Sequence, residues 1–262
     1  MALRDMLFGK HDHAPGFSPL TQAHKDRQAL FAQFWRYYRG HHRKPLKVRP
    51  NTLDDNTTLN YSKKNVNKSV QFLFGKPVTF EIDSMTKERT PAELYLDRVW
   101  GEAEKKAMFL QKLALNGCVT GTAAVRLYQP EPNMSDSLPR IVNIDPSILD
   151  VVTHVDDVEE ILSYRLTWKS GDPDPYRAGG TSIWKRHRID LQENGFWFIT
   201  VEIAKTNSPD WQEVPNESAA WPYEFAPIII CQNLPIPNEI WGMSDLEEAD
   251  INDAINFTAS NI

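Results

Sequence analysis

Only two cysteines, Cys118 and Cys231, occur among the 262 residues of this chain. Two thiols so far apart exclude a disulfide framework, and a reducing compartment is the expectation. No run approaches the roughly 18 apolar residues that a membrane-crossing helix needs, and Met1 to Gly16 holds no apolar segment of the secretory type. Internal repeats and low-complexity blocks are missing as well, which argues against a solenoid or a fibrous protein. A composition of 41% hydrophobic and 24% charged residues suits a packed, soluble domain. An even spread of charge is also lacking. Residues 1–128 carry 21 Lys and Arg against 12 Asp and Glu, and residues 129–262 carry 8 against 23. The net charge of −6 therefore hides a basic half and an acidic half. These are either complementary faces of subunits packed side by side or two solvated surfaces.

What is present divides by periodicity. Apolar residues at helical spacing predict helices over 18–39, 61–74, 91–100, 102–116 and 245–262. Ser18-Pro19 reads as the cap of the first, with Gly40 as its stop. Gly75 and Gly117 read as the ends of the second and fourth. Thr90-Pro91-Ala92-Glu93 and Ser244-Asp245-Leu246-Glu247 both have the pattern of a capping box. The last helix carries an apolar stripe of Leu246, Ile251, Ala254, Ile255 and Ile262. Short β-branched and aromatic runs predict strands at Pro77–Ile82, Val119–Tyr128, Ile141–Ile144, Leu149–His154, Leu162–Trp168, Thr181–Leu191, Phe196–Ile203 and Ile228–Gln232. Lys169 to Gly180 reads as a loop. The fold class expected is α+β with a largely antiparallel sheet. It is organised as a flexible arm (1–17), an α+β domain (18–242) and a helix that occupies 243–262.

Candidate chemistry is sparse. Cys118, between Gly117 and Val119, has no base at a telling spacing. His154 is the nearest histidine of the middle region, and a small buried thiol is the simpler reading. His11 with His13, and His41 with His42, lack the second pair that a zinc site needs. Asp156-Asp157 and Glu159-Glu160 sit in a turn between strands, where solvated carboxylates are ordinary. Gly117 to Thr122 lacks the lysine of a phosphate-binding loop. No catalytic residue, cofactor or metal is expected. Arg36, Arg39, Arg43, Lys44, Lys47 and Arg49 form the one concentrated basic stretch, a candidate contact for another subunit or for DNA phosphates. Asp245, Glu247, Glu248, Asp250 and Asp253 form an acidic stretch with no Lys or Arg. Taken on the residues alone, these are acids favoured at a helix N-terminus.

Three passages resemble one family. They are Asn60-Tyr61 with Asn65-Val66-Asn67-Lys68-Ser69-Val70-Gln71-Phe72-Leu73-Phe74-Gly75-Lys76-Pro77-Val78; Asn116-Gly117-Cys118-Val119-Thr120-Gly121-Thr122-Ala123; and Asn233-Leu234-Pro235 with Asn238-Glu239-Ile240-Trp241-Gly242-Met243-Ser244-Asp245-Leu246-Glu247, continued by Asp253-Ala254-Ile255-Asn256 and Ser260-Asn261. In this order they resemble siphovirus-type phage portal proteins. The resemblance implies a structural ring subunit, usually in twelve copies, at one capsid vertex, through which the genome is packaged and ejected. Implied partners are further copies of the chain, terminase, capsid or scaffold proteins, head-completion proteins and, transiently and without sequence preference, double-stranded DNA; no membrane is implied. The implied location is the virion, with the host cytoplasm during assembly. By the same resemblance the chain is an N-terminal half holding the wing, the helix from Ser244 starts a truncated stem, and its acids Asp245, Glu247, Glu248, Asp250 and Asp253 would form a channel-side wall that repels DNA. A nucleic-acid-binding module using 36–49 and a β-rich hydrolase are the competing readings. The acidic balance speaks against the first, and the missing catalytic constellation against the second.

Overall fold

The computed structural model describes residues 20–48, 51, 53–54, 56–81, 89–101, 103–129, 138–171, 182–205 and 210–261. The arm expected at 1–17, together with Ser18-Pro19, lies outside them. The described elements, in order, are helices α1 (Gln22–Tyr38), α2 (Tyr61–Phe74), α3 (Pro91–Trp100) and α4 (Ala103–Thr120); strands β1 (Thr122–Tyr128) and β2 (Arg140–Ile144); a one-turn 3-10 helix (Pro146–Ile148); β3 (Leu149–Thr153), β4 (Ile161–Ser170), β5 (Ile183–Leu191), β6 (Trp197–Lys205), β7 (Gln212–Glu213), β8 (Ala219–Ala220) and β9 (Ile228–Gln232); and helix α5 (Asp250–Ser260). The class is α+β, as the patterning predicts.

All described strand pairs are antiparallel. One sheet has the order β2-β1-β9. The other runs β3-β4-β5-β6-β7, with β8 also on β6. The two share a core: Ala124, Ile144 and Ile228 of the first cluster with Leu149, Tyr164, Leu166, Ile189 and Trp197 of the second. Leu149 and Ile189 are fully buried. Each contributes about 1.5–3 kcal/mol by leaving water, and a one-residue slip of either strand would turn it outward. A second core joins the helices: Phe31 and Phe34 of α1, Val66 of α2, Cys118 and Val119 of α4, then Leu246 and Ala249. Helix α1 also docks on the sheets through polar contacts. The ring of His24 and the amide of Gln28 both meet the Ser147 carbonyl at 2.7 Å. Arg27 donates to Leu149 O and Asp150 Oδ1 at 3.0 Å.

Several expected boundaries shift, each for a physical reason. Thr21 caps α1, its hydroxyl accepting the His24 N–H at 3.2 Å. Thr90 and Glu93 do form the expected capping box on α3. Gly117 does not end α4, because it is not a positive-φ glycine; the helix continues to Thr120, and Gly121 takes the left-handed turn that stops it. The expected strand at Pro77–Ile82 is not formed over 77–81. Phe80 stacks instead on Trp100, with centroids 5.5 Å apart. The last helix starts at Asp250, not 245, and spans 11 residues. Ser244 still caps the chain locally, its Oγ accepting the Leu246 N–H at 3.0 Å while donating to Val119 O at 2.6 Å, but what it caps is the turn over 245–249 that precedes the helix.

That last contact belongs to a crossing of two chain segments. Helix α4 turns into β1 at Gly121, which has φ of +78°. The segment Gly242–Asp245 lies directly across this turn. A Cβ on Gly121 would sit 2.1 Å from Gly242 O, and one on Gly242 would sit 2.4 Å from Gly121 O. Backbone and side-chain bonds stitch the crossing: Asn233 N–H to Gly121 O (2.8 Å), Asp245 N–H to Cys118 O (2.9 Å) and Gly242 N–H to Thr122 Oγ1 (2.9 Å). Gly195 also has positive φ but has open space around it. Gly195→Ala should therefore cost only about 1–2 kcal/mol of backbone strain. Gly121→Ala should cost about 2 kcal/mol more, because overpacking against Gly242 is added. Urea denaturation of the two variants measures the difference; equal losses would show that the crossing is not tight.

Candidate functional site

Helix α5 and the elements around it bring the basic and acidic candidates together. The helix turns its polar side inward. Asn252 and Asn256 are 5% and 0% exposed, whereas Ile251, Ile255 and Phe257 are 54%, 40% and 52% exposed. The stripe expected of Leu246, Ile251, Ala254, Ile255 and Ile262 is thus not a buried face. Leu246 alone of these is in the core, and Ile262 lies outside the described residues. The inward polar row, at i, i+4 and i+8, reads the backbone of 57–62. Ser260 Oγ accepts the Thr57 N–H at 2.9 Å. Asn256 Oδ1 accepts the Leu59 N–H at 2.8 Å. Asn252 Nδ2 donates to Leu59 O at 2.8 Å, and its Oδ1 accepts from Tyr61 N–H (2.8 Å) and Ser62 N–H (3.2 Å). Asn60 supplies the next cap, its Oδ1 accepting the Lys63 N–H at 2.8 Å. The first turn of α2, which no intrahelical bond can satisfy, is therefore capped partly by a side chain from 190 residues further along.

Of the basic stretch, Arg36, Arg39, Arg43, Lys44 and Lys47 are exposed, and Arg49 lies outside the described residues. Arg39 lies over the Trp35 ring at 5.6 Å. Lys44 pairs with Asp54 at 2.7 Å. This charge-assisted bond, with further bonds from Asn56, holds the Asp54 carboxyl down at about 2. The Asn56 side chain brackets Leu46 N–H (2.7 Å) and Leu46 O (3.1 Å), so the segment has a set shape. The acidic residues do not form one helix wall. Asp245, Glu247 and Glu248 lie in turns before α5, exposed along with Asp250. Asp253 points inward, accepting from Tyr37 Oη at 2.7 Å and from the Arg43 N–H at 3.4 Å. His42, with its side chain 1% exposed, places Nδ1 3.6 Å from the same carboxylate. Asp253 thus ties the basic stretch to α5, a role that its place in an acid run concealed.

The residues weighed for chemistry are dispersed. Cys118 is buried, and burial followed by Asp245 pushes its thiol up to about 12, far from a nucleophile's range. His154 is exposed, and its Nδ1 accepts the Asp156 N–H at 3.2 Å within the β3–β4 turn. Asp156, Asp157, Glu159 and Glu160 are solvated there. His187 of β5, which the sequence did not single out, is pushed down to about 3 by burial and then by Arg126 and Lys185. It accepts from Arg126 at 2.6 Å across the two sheets and is held as a neutral acceptor. His41 is exposed, and His11 and His13 lie outside the described residues. Among the described residues no three of His, Cys, Asp and Glu gather to hold a metal ion, and no helix is long and apolar enough to cross a membrane.

An α+β scaffold whose polar side chains are spent joining distant segments to one another has the construction of a structural subunit. Residues 18–204, well over half of the chain, match the family described as "Phage portal protein, SPP1 Gp6-like", and the chain belongs to that family. No curated protein matches the chain. The family is structural and non-enzymatic, and it forms homo-oligomeric rings at a capsid vertex. The match ends before Asn233. The third resembling passage is therefore tied to the first two by contacts: 242–245 crosses the α4–β1 turn, and Asn252 and Asn256 bracket the start of α2.

Replacing Asn252 by Ala leaves three backbone groups of 59–62 without partners, each worth about 1–3 kcal/mol when buried. Allowing for water reaching part of the gap, the expected loss is about 3 kcal/mol, with faster hydrogen exchange at Tyr61 and Ser62. Unchanged exchange there would refute the trans cap. A second expectation concerns Tyr37. Burial and then the bond to Asp253 raise its pKa to about 12. A raised phenol stabilises the fold fully below the unfolded value of about 10 and loses that contribution as pH climbs from there through about 12. Ultraviolet titration should show late-ionising tyrosine, and Asp253→Ala should bring Tyr37 down while leaving Tyr164, raised by burial alone, unmoved.

Proposed function

We propose that this chain supplies the wing of a portal subunit, part of a ring, expected to have twelve copies, that lines the path of the genome during packaging and ejection. The single observation that carries the reading is the portal family match over residues 18–204. In this reading residues 18–242 make the wing and the segment from 243 leads toward the stem, with α5 pinned to the wing by Asn252 and Asn256. The subunit is not an enzyme. Its partners are further copies of itself, terminase, capsid or scaffold proteins and head-completion proteins. DNA passes transiently, and a conduit must not grip a polyanion tightly. The exposed carboxylates Asp245, Glu247, Glu248 and Asp250 suit a surface that repels DNA, and the exposed bases of 36–47 suit a contact between subunits. The protein works at the portal vertex of the virion and passes through the host cytoplasm during assembly. Immunogold labelling of assembled heads with an antibody against this chain should mark one vertex per head, the one that bears the tail. Labelling spread over all vertices, or confined to unassembled lysate, would overturn the reading.

A further inference from the structure

A cavity of about 650 Å³ opens between the β3–β4 turn and the segment after β9. Half-buried Ile161, Ile230, Ile236 and Ile240 give it an apolar floor. Its rim carries Asp156, Asp157, Glu159 and Glu239, all exposed, and none of these four is paired with a cation among the described residues. At the turn, Val155 is 96% exposed beside this opening. A hollow with an apolar base and an acidic rim fits a segment that is apolar in the middle and basic at its edges.

The chain holds such a segment elsewhere on its surface. Arg43-Lys44-Pro45-Leu46-Lys47 places half-buried Pro45 and Leu46 between exposed cations. Asn56 brackets the Leu46 backbone, Lys44 pairs with Asp54, and the Arg43 N–H is held by Asp253. The segment is therefore shaped before any partner arrives, which lowers the cost of ordering it on binding. The Arg43 and Lys47 side chains have no carboxylate partner among the described residues. One molecule does not join the two surfaces. Helix α1 starts at the Ser147 contact beside β3 and ends just before the basic segment, about 25 Å further on for its 17 residues. No hydrogen bond or ion pair links the segment to the cavity within the described residues.

We infer that the Arg43–Lys47 segment of one copy docks in the acidic-rimmed cavity of the next, a head-to-tail contact between unlike faces. Such a contact can repeat around an axis and close, so the inference rests on the ring reading and supplies its contact. DNA is the rival occupant of the basic segment, but it would leave the cavity empty, since the acidic rim repels phosphates. The charge-reversed pairs R43E/K47E and D156K/E159K alter exposed side chains that make no side-chain hydrogen bond or ion pair among the described residues. The purified chain is expected to self-associate in sedimentation velocity, more weakly as salt rises. Each variant alone should associate about tenfold or more weakly, because like charges then face one another. An equimolar mixture of the two should recover association, since each reversed face then meets a complementary one. Wild-type association unchanged in both variants would overturn this contact and leave the ring reading standing. A wild-type chain that stays monomeric at every concentration would likewise overturn this contact, while the ring reading would still be decided by the vertex labelling. Loss of DNA binding in R43E/K47E with self-association intact would assign the segment to nucleic acid and overturn the inference.

Discussion

The rest of the molecule depends on how closely two backbones pass at Gly121 and Gly242. Neither position has room for a side chain, and the turn at Gly121 takes the left-handed region that glycine alone adopts freely. This crossing lets one continuous run, α4 into β1, serve both cores. Cys118 and Val119 belong to the helical cluster, and Ala124 to the cluster between the sheets. Without close approach of 242–245, Leu246 and Ala249 would not reach the helical core. Ser244 would lose its acceptors at Cys118 and Val119.

The passages that carry the portal resemblance turn out to be joints. The first supplies the start of α2, the second the α4–β1 turn, and the third the strap laid across that turn and continued into α5. The chain is basic where it forms the helical side and acidic in its later half. Part of that charge is spent internally, at Asp253 on the Tyr37 hydroxyl, at Asp150 on Arg27 and at Glu202 on Arg186 among others. Apart from Arg126, buried against His187, much of what is left over sits on exposed segments. A subunit that must meet copies of itself can use charge left exposed in this way.

Much of the fold was legible because it rests on local rules. The bounds of α2 and α3 and the antiparallel strands follow from periodicity, capping residues and turn residues. The failures share a cause in tertiary contacts that local patterns do not encode. Gly117 and Gly121 are equally glycine to a sequence reader, yet only the second has a backbone pressed against it. Ser244 does act as a cap toward Leu246, but its hydroxyl is also held by α4 and a turn, not the helix, follows it directly. Val78, Thr79 and Phe80 suit a strand, but Phe80 finds an indole instead. The polar row of α5 was the hardest to read. Asn252, Asn256 and Ser260 at four-residue spacing look like a solvated face, and nothing local says that an extended segment nearly 200 residues earlier needs those amides. For the same reason Asp253 was grouped with the acids around it, although its inward neighbours set it apart.

The row of side chains on α5 is also a ruler. Its three rungs fall one helical turn apart, about 5.4 Å, and each is matched to a fixed backbone group on 57–62. A shift of α5 by one residue would rotate the rungs by about 100° away from their partners. Intermediate positions would leave several groups unbonded at once. The helix therefore cannot creep along its neighbour in small steps. Force applied along α5 is handed on, without slack, to the start of α2 and to the basic segment held by Asp253. Strain arriving at one side of the subunit is delivered to the other as displacement of a rigid unit.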